Sequence, residues 1–294
     1  MGAFKNLLKG YIIIAFNFFD VVLVYSVNVL LGTETGVGGG LGVLPGAWGF
    51  VESIHSALIP FCMVIIGICL LIEIAQISAK VDVMRWEQGL KICVKMVLAR
   101  VMLDLAPTVL RAIYLQSTHW VSAASGIGSG SSLGLTLVNE LIPLVDSMGG
   151  FFEILGLYLS IGVVVIGIEI CAVVIIVVSY GRLFEIYAHL AVAPLPCAFF
   201  PLSSGGDGTG FSRVTGKFFK SFAAVCLQAV MMVVCLRIFG HIMEAAVMHM
   251  AAMGAATGSI RVGELCFLML MGSIVLVMSV IKSGSWAKSI LDVI

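Results

Sequence analysis

The run ILGLYLSIGVVVIGIEICAVVIIVVS, residues 154 to 179, carries one charged residue, Glu169, and constrains the fold more than any other feature. A helix rises about 1.5 Å per residue, and the hydrocarbon of a bilayer is roughly 30 Å thick, so a run of this length spans a membrane. Residues 11 to 31, 57 to 79, 218 to 240 and 262 to 281 are apolar and long enough to do the same, the first being the least clean because it holds Asn17, Asp20 and Asn28. Composition agrees: the 294-residue chain is 61% hydrophobic and 11% charged with mean hydropathy +1.16, whereas soluble domains are roughly a quarter charged. The sequence therefore describes an integral membrane protein. Its 16 basic and 16 acidic residues balance, so overall charge speaks neither for nor against a nucleic-acid partner.

Residues 92 to 118 form a sixth long segment, interrupted by Lys95, Arg100, Asp104 and Arg111. They either span inside a bundle or lie along the interface. Basic residues collect in cytoplasmic loops. If residues 92 to 118 cross, then Lys5, Lys9, Lys80, Arg85, Lys91, Lys95, Arg182, Arg213, Lys217, Lys220, Lys282 and Lys288 share one face, and the loops opposite contain only Arg261. The expectation is an all-α polytopic transmembrane bundle of about six segments, with both termini cytoplasmic.

The expected organisation is a hydrophobic N-terminal helix (1–31), a Gly-rich outer loop (32–54), central helices (55–118), a Gly/Ser-rich outer loop (119–153) and a C-terminal transmembrane core (154–294). The loops contain GTETGVGGGLGVLPGAWGF and SAASGIGSGSSLGLT, whose composition favours flexible or partner-ordered chain over a packed domain. The N-terminal segment exceeds a signal-peptide core and lacks an A-x-A-like site, so it is expected to be retained. Asn6 stands where myristoylation wants Ser or Thr.

Few residues suggest chemistry. The eight Cys show no C-x-x-C and read as small buried hydrophobes. Asp20, Glu73, Asp104 and Glu169 lie at intermediate depth, where a charge needs a partner or water. They either line a polar lumen or proton path, or pair with Arg100, Arg111 or Arg237, or stay protonated. HIMEAAVMHMAAM, residues 241 to 253, collects imidazoles and thioethers that suit Cu(I), but at helical spacing they spread around the helix and read as apolar filling. SSGGDGTGFSRVTGKFF, residues 203 to 219, fails as a phosphate loop because Gly210 and Gly216 are one residue too far apart and Phe218 follows Lys217. No catalytic or metal-binding set emerges, and no cofactor beyond lipid is expected. Gly156, Ser160, Gly162 and Gly167 permit close helix approach.

The stretch GRLFEIYAHLAVAPLPCAFF, residues 181 to 200, follows the most apolar run. Arg182 and Glu185 are three apart on a helix and can pair. Tyr180 and Tyr187 suit headgroup depth. Pro194 and Pro196 are expected to break the helix and return the chain toward the bilayer.

This stretch, with DGTG at 207 to 210, KSFAAVCLQ at 220 to 228 and VIKSGSWAKSIL at 280 to 291, resembles the TrbL-like polytopic inner-membrane proteins of conjugative type IV secretion systems, in the short form found on Gram-positive mobile elements. The resemblance covers residues 178 to 290 well and 84 to 118 weakly. It implies a non-enzymatic channel or platform subunit that supports transfer of single-stranded DNA with its relaxase. It also implies a homo-oligomeric ring of five copies and contacts with other secretion subunits including the ATPase, with phospholipid, and transiently with single-stranded DNA. Arg182, Glu185, Tyr187, Pro194, Pro196, Lys220, Gln228 and Lys282 match the family pattern, which implies structural or partner-docking roles. Two other functions remain open from the residues alone: an ion-coupled transporter using the mid-depth acids, though paired broken helices in related halves are not evident, and a membrane scaffold without a conduit.

Overall fold

The structure, a computed structural model, describes residues 2–31, 45–80, 86–126, 138–139, 142–143, 151–200, 213–257 and 262–291. These residues are helical, with no strand among them. The helices are α1 (Gly2–Leu31), α2 (Pro45–Lys80), α3 (Trp86–Gly126), α4 (Phe151–Val192), the short α5 (Pro194–Ala198), α6 (Arg213–Thr257) and α7 (Val262–Ile290).

Five segments are long and apolar enough to cross a membrane: Asn6–Leu30, Gly49–Ile72, Ile161–Ala198, Val214–Met250 and Phe267–Ile290. They fall on α1, α2, α4 with α5, α6 and α7. The polytopic all-α bundle expected from the sequence is what the chain forms. The sixth expected segment is a helix as well, the 41-residue α3, but its charges keep it outside the set of candidate spans.

Three element boundaries differ from the sequence reading. Residues 45 to 54, read as loop, already belong to α2, because Pro45 at the first helical position forfeits no intrahelical hydrogen bond. Likewise α3 continues to Gly126 and α4 starts at Phe151, inside the stretch read as the second outer loop. The glycine-rich parts of both loops, 32–44 and 127–137, lie outside the described residues.

The chain divides into two compact units. The first comprises residues 1–31, 119–181 and 228–286. Its core draws Phe16 and Phe19 from α1, Ile161 and Ile168 from α4, Met232 and Val233 from α6, and Met269 and Leu276 from α7. Contacts at successive levels fix the helix directions. Tyr11 faces Tyr158 at 6.1 Å between ring centroids, and Tyr25 hydrogen-bonds Tyr180 through their hydroxyls. Both pairs advance together, so α1 runs parallel to α4. Phe239 and Met243 pack against Gly272 while Gln228 reaches Gly284, which makes α6 and α7 antiparallel.

Hydroxyl groups within this unit are satisfied locally, as a membrane interior requires. Ser26, Ser179 and Ser273 are fully buried. Each donates to the carbonyl four residues earlier, at 2.8, 2.8 and 2.7 Å. Of the small residues expected to admit a neighbouring helix, Gly167 does so: a Cβ there would lie 2.5 Å from Leu270 Cδ1. Gly156 and Gly162 face open space, and the Ser160 side chain lies outside the described residues.

The second unit comprises residues 32–118, 182–227 and 287–294. Its core joins Cys62 and Ile66 of α2, Ala99, Leu103 and Ala106 of α3, Cys197 and Ala198 of α5, and Phe200.

Candidate functional site: the α4–α5 turn

The stretch that ends α4 is built into the second unit. Leu183, Ile186, Tyr187 and Leu190 recur at helical spacing and are buried, while Phe184 on the opposite face is 65% exposed. The apolar stripe therefore docks this part of α4 onto its neighbours and leaves one aromatic ring outward. Tyr187, expected at headgroup depth, is instead 7% exposed. Its aromatic body belongs to the buried stripe of α4.

Arg182 Nη1 donates to Glu185 Oε2 at 3.0 Å, and both side chains are partly buried. The pairing expected from their spacing is realised. One helical turn farther along α4, His189 Nδ1 lies 2.8 Å from the Glu185 carbonyl. Its ring meets Phe218 and Phe222 of α6 at 5.9 and 6.2 Å. The imidazole and the two aromatic rings thus hold the last turns of α4 against the start of α6, while the charged pair stays within α4.

The two prolines act differently from the expected break. Pro194 opens α5 and Pro196 follows within it, where a missing amide costs nothing because first-turn amides have no intrahelical acceptor. Ala193 keeps αR geometry, φ −49° and ψ −36°, although a following proline disfavours that region. The helix is interrupted for one residue and resumes. The freed Pro196 carbonyl accepts from Thr215 Oγ1 at 2.7 Å, and Thr215 is fully buried. Beneath the turn, α2 packs against α5.

The structure brings Arg182, Glu185, Tyr187, Pro194 and Pro196 together in one unit, and Lys220 stands exposed on α6 in that same unit. Gln228 and Lys282 belong to the other unit. Gln228 is fully buried and Lys282 exposed.

Of the four mid-depth acids, Asp20 and Glu169 belong to the first unit and Glu73 and Asp104 to the second. Asp104 pairs with Arg100 at 3.2 Å in an exposed i,i+4 bridge, and Arg100 also donates to Met63 Sδ at 3.1 Å. Asp20 and Glu169 are half-buried on α1 and α4. Glu73 lies within α2 with its side chain outside the described residues. In the His/Met stretch, Met243 is buried against Gly272 while His241 and His249 are exposed, so its soft ligands do not face one point. No group of three or more His, Cys, Asp or Glu forms among the described residues. An apolar hollow of about 320 Å³ lies along α3, lined by Leu90, Cys93, Val94, Val97, Leu98 and Val101. It holds no acid–base pair.

Sequence reasoning missed Thr215 and His189. Neither carries a motif, and each matters through a contact with a residue distant in sequence. Such an arrangement orients helices and presents a surface.

A family model described as "TrbL/VirB6 plasmid conjugal transfer like protein" matches residues 42–194. The match takes in α2, α3 and α4 and stops at Pro194, so Arg182, Glu185 and Tyr187 lie inside it, while Pro196, Lys220, Gln228 and Lys282 lie beyond. No curated protein and no solved structure matches the chain.

Proposed function

Because the chain belongs to the TrbL/VirB6-like family of plasmid conjugal transfer proteins, we propose that it is the membrane channel or platform subunit of a conjugative type IV secretion system, supporting passage of single-stranded DNA with its bound relaxase. The observation that carries this reading is the coincidence of the family match, residues 42–194, with three successive helices of a chain holding five membrane-length apolar segments. The subunit forms a homo-oligomeric ring, a pentamer, in the bacterial inner membrane. It turns over no substrate of its own, and the secretion ATPase supplies the energy. The α4–α5 turn serves as a rigid docking element for the other secretion subunits, with Arg182, Glu185 and the exposed Phe184 and Lys220 at its surface. The parallel course of α1 and α4 supports a chain whose two termini lie on opposite faces of the membrane.

An in-frame deletion in a donor carrying the mobile element tests this. Mating is expected to fall to background and to return when the gene is supplied in trans, while relaxase nicking at the transfer origin continues unchanged. Wild-type mating by the deletion strain would sink the reading.

A further inference from the structure

On α1 the face turned away from the core carries a seam spaced alternately three and four residues apart: Leu7, Gly10, Ile14, Asn17, Val21 and Val24. Such spacing is the a/d pattern by which a helix packs along its length against another helix. The opposite face, through Leu8, Ile12, Phe16 and Phe19, is fully occupied by the core. On the seam Ile14 is 70% and Val21 63% exposed, and a Cβ added at Gly10 would meet nothing within 4 Å.

Asn17 decides what covers this seam. It is exposed, it stands near the midpoint of the span Asn6–Leu30, and it makes no hydrogen bond among the described residues. At the midpoint of the span Phe267–Ile290, Ser279 by contrast donates to the Val275 carbonyl at 2.9 Å within its own helix. Acyl chains offer a carboxamide neither donor nor acceptor, so an amide at that depth is driven to a protein partner. Apolar β-branched neighbours alone would accept lipid; Asn17 does not.

An identical helix supplies what is missing. A carboxamide both donates and accepts, and cyclic symmetry sets the same residue of each copy at the same depth. Gly10 lets the backbones come close. We propose that α1 packs against α1 of neighbouring copies around the axis of a homo-oligomer, with Asn17 of each copy hydrogen-bonding Asn17 of the next. This rests on the ring assembly proposed above and assigns its contact helix.

The test uses the full chain in donor membranes, as two differently tagged copies carrying a photo-crosslinking p-benzoylphenylalanine. Ile14→p-benzoylphenylalanine and Val21→p-benzoylphenylalanine are expected to yield dimers bearing both tags. Val163→p-benzoylphenylalanine, on the exposed face of α4, is expected to yield none. In native-lipid discs, Asn17→Leu should lower the oligomeric fraction several-fold and Asn17→Gln should preserve it. Oligomers that cross-link through residue 163 alone, or adducts at 14 and 21 made only with phospholipid or another protein, overturn the α1 contact while leaving the ring intact. A wild-type chain that is monomeric in those discs overturns the ring and the contact together.

Discussion

The side-chain amide of Gln228 donates to the Gly284 carbonyl at 3.1 Å, tying α6 to α7 through a glutamine that is fully buried. Its Oε1 is buried too and meets no donor among the described residues. Gln228→Ala loses the bond and leaves a gap, with an expected cost of about 1 kcal/mol, in the range of hydrogen bonds between membrane helices. Gln228→Leu removes the unpaired acceptor along with the bond and keeps the volume, so it should be milder. Thermal unfolding in detergent ranks the two; a leucine variant less stable than the alanine variant would contradict this account.

Thr215 bonds Pro196 more tightly, at 2.7 Å, across the turn that follows α4. Thr215→Val preserves shape and leaves the Pro196 carbonyl without that donor, for an expected loss of about 1–2 kcal/mol. Thr215→Ser should recover most of it. Equal melting temperatures for the valine variant and the wild type would remove the bond from the description of the turn.

Glycines at the helix contacts differ in how much their neighbours can yield. At Gly167 an added Cβ meets only the flexible end of Leu270, whereas at Gly272 it meets Met243 Sδ at 2.6 Å, Met243 Cε at 3.1 Å and Phe239 Cε2 at 3.2 Å. Gly272→Ala is expected to cost about 1–3 kcal/mol through overpacking, and Gly167→Ala less. Heat-inactivation half-lives in one detergent give the order directly.

The Arg182–Glu185 pair is half-open to solvent, and such pairs contribute about 0.3–0.5 kcal/mol within a helix. Arg182→Ala should therefore leave the protein as abundant as wild type. If the turn docks partners, mating should nevertheless fall, and Arg182→Lys should restore part of it. Unchanged mating with Arg182→Ala would remove this residue from the docking surface.

The direction of α1 makes a topological forecast. Of Asn6→Cys and Ser289→Cys, one should react with a membrane-impermeant maleimide added to intact cells and the other only after permeabilisation, each measured against the wild-type chain and its native thiols. Equal reactivity or equal protection of both contradicts parallel crossing by α1 and α4.

Composition and long uncharged runs were enough to identify a polytopic helical membrane protein, because a run such as 154–179 leaves the backbone no alternative to satisfying its own hydrogen bonds. Local rules also reached the Arg182–Glu185 pair, since residues three apart on a helix are neighbours whatever surrounds them. They failed where the outcome depends on which helices meet. Tyr187 suits an interface by composition, yet the stripe it shares with Leu183 and Leu190 is buried; Pro194 and Pro196 suit a break, yet α5 accommodates both. The sense in which α1 runs, the bond from Thr215 to Pro196 and the exposure of Asn17 are set by contacts between distant segments. One-dimensional pattern determines that a segment is a helix and how far it reaches; only packing in three dimensions decides its direction beside its neighbours and which of its faces is left uncovered.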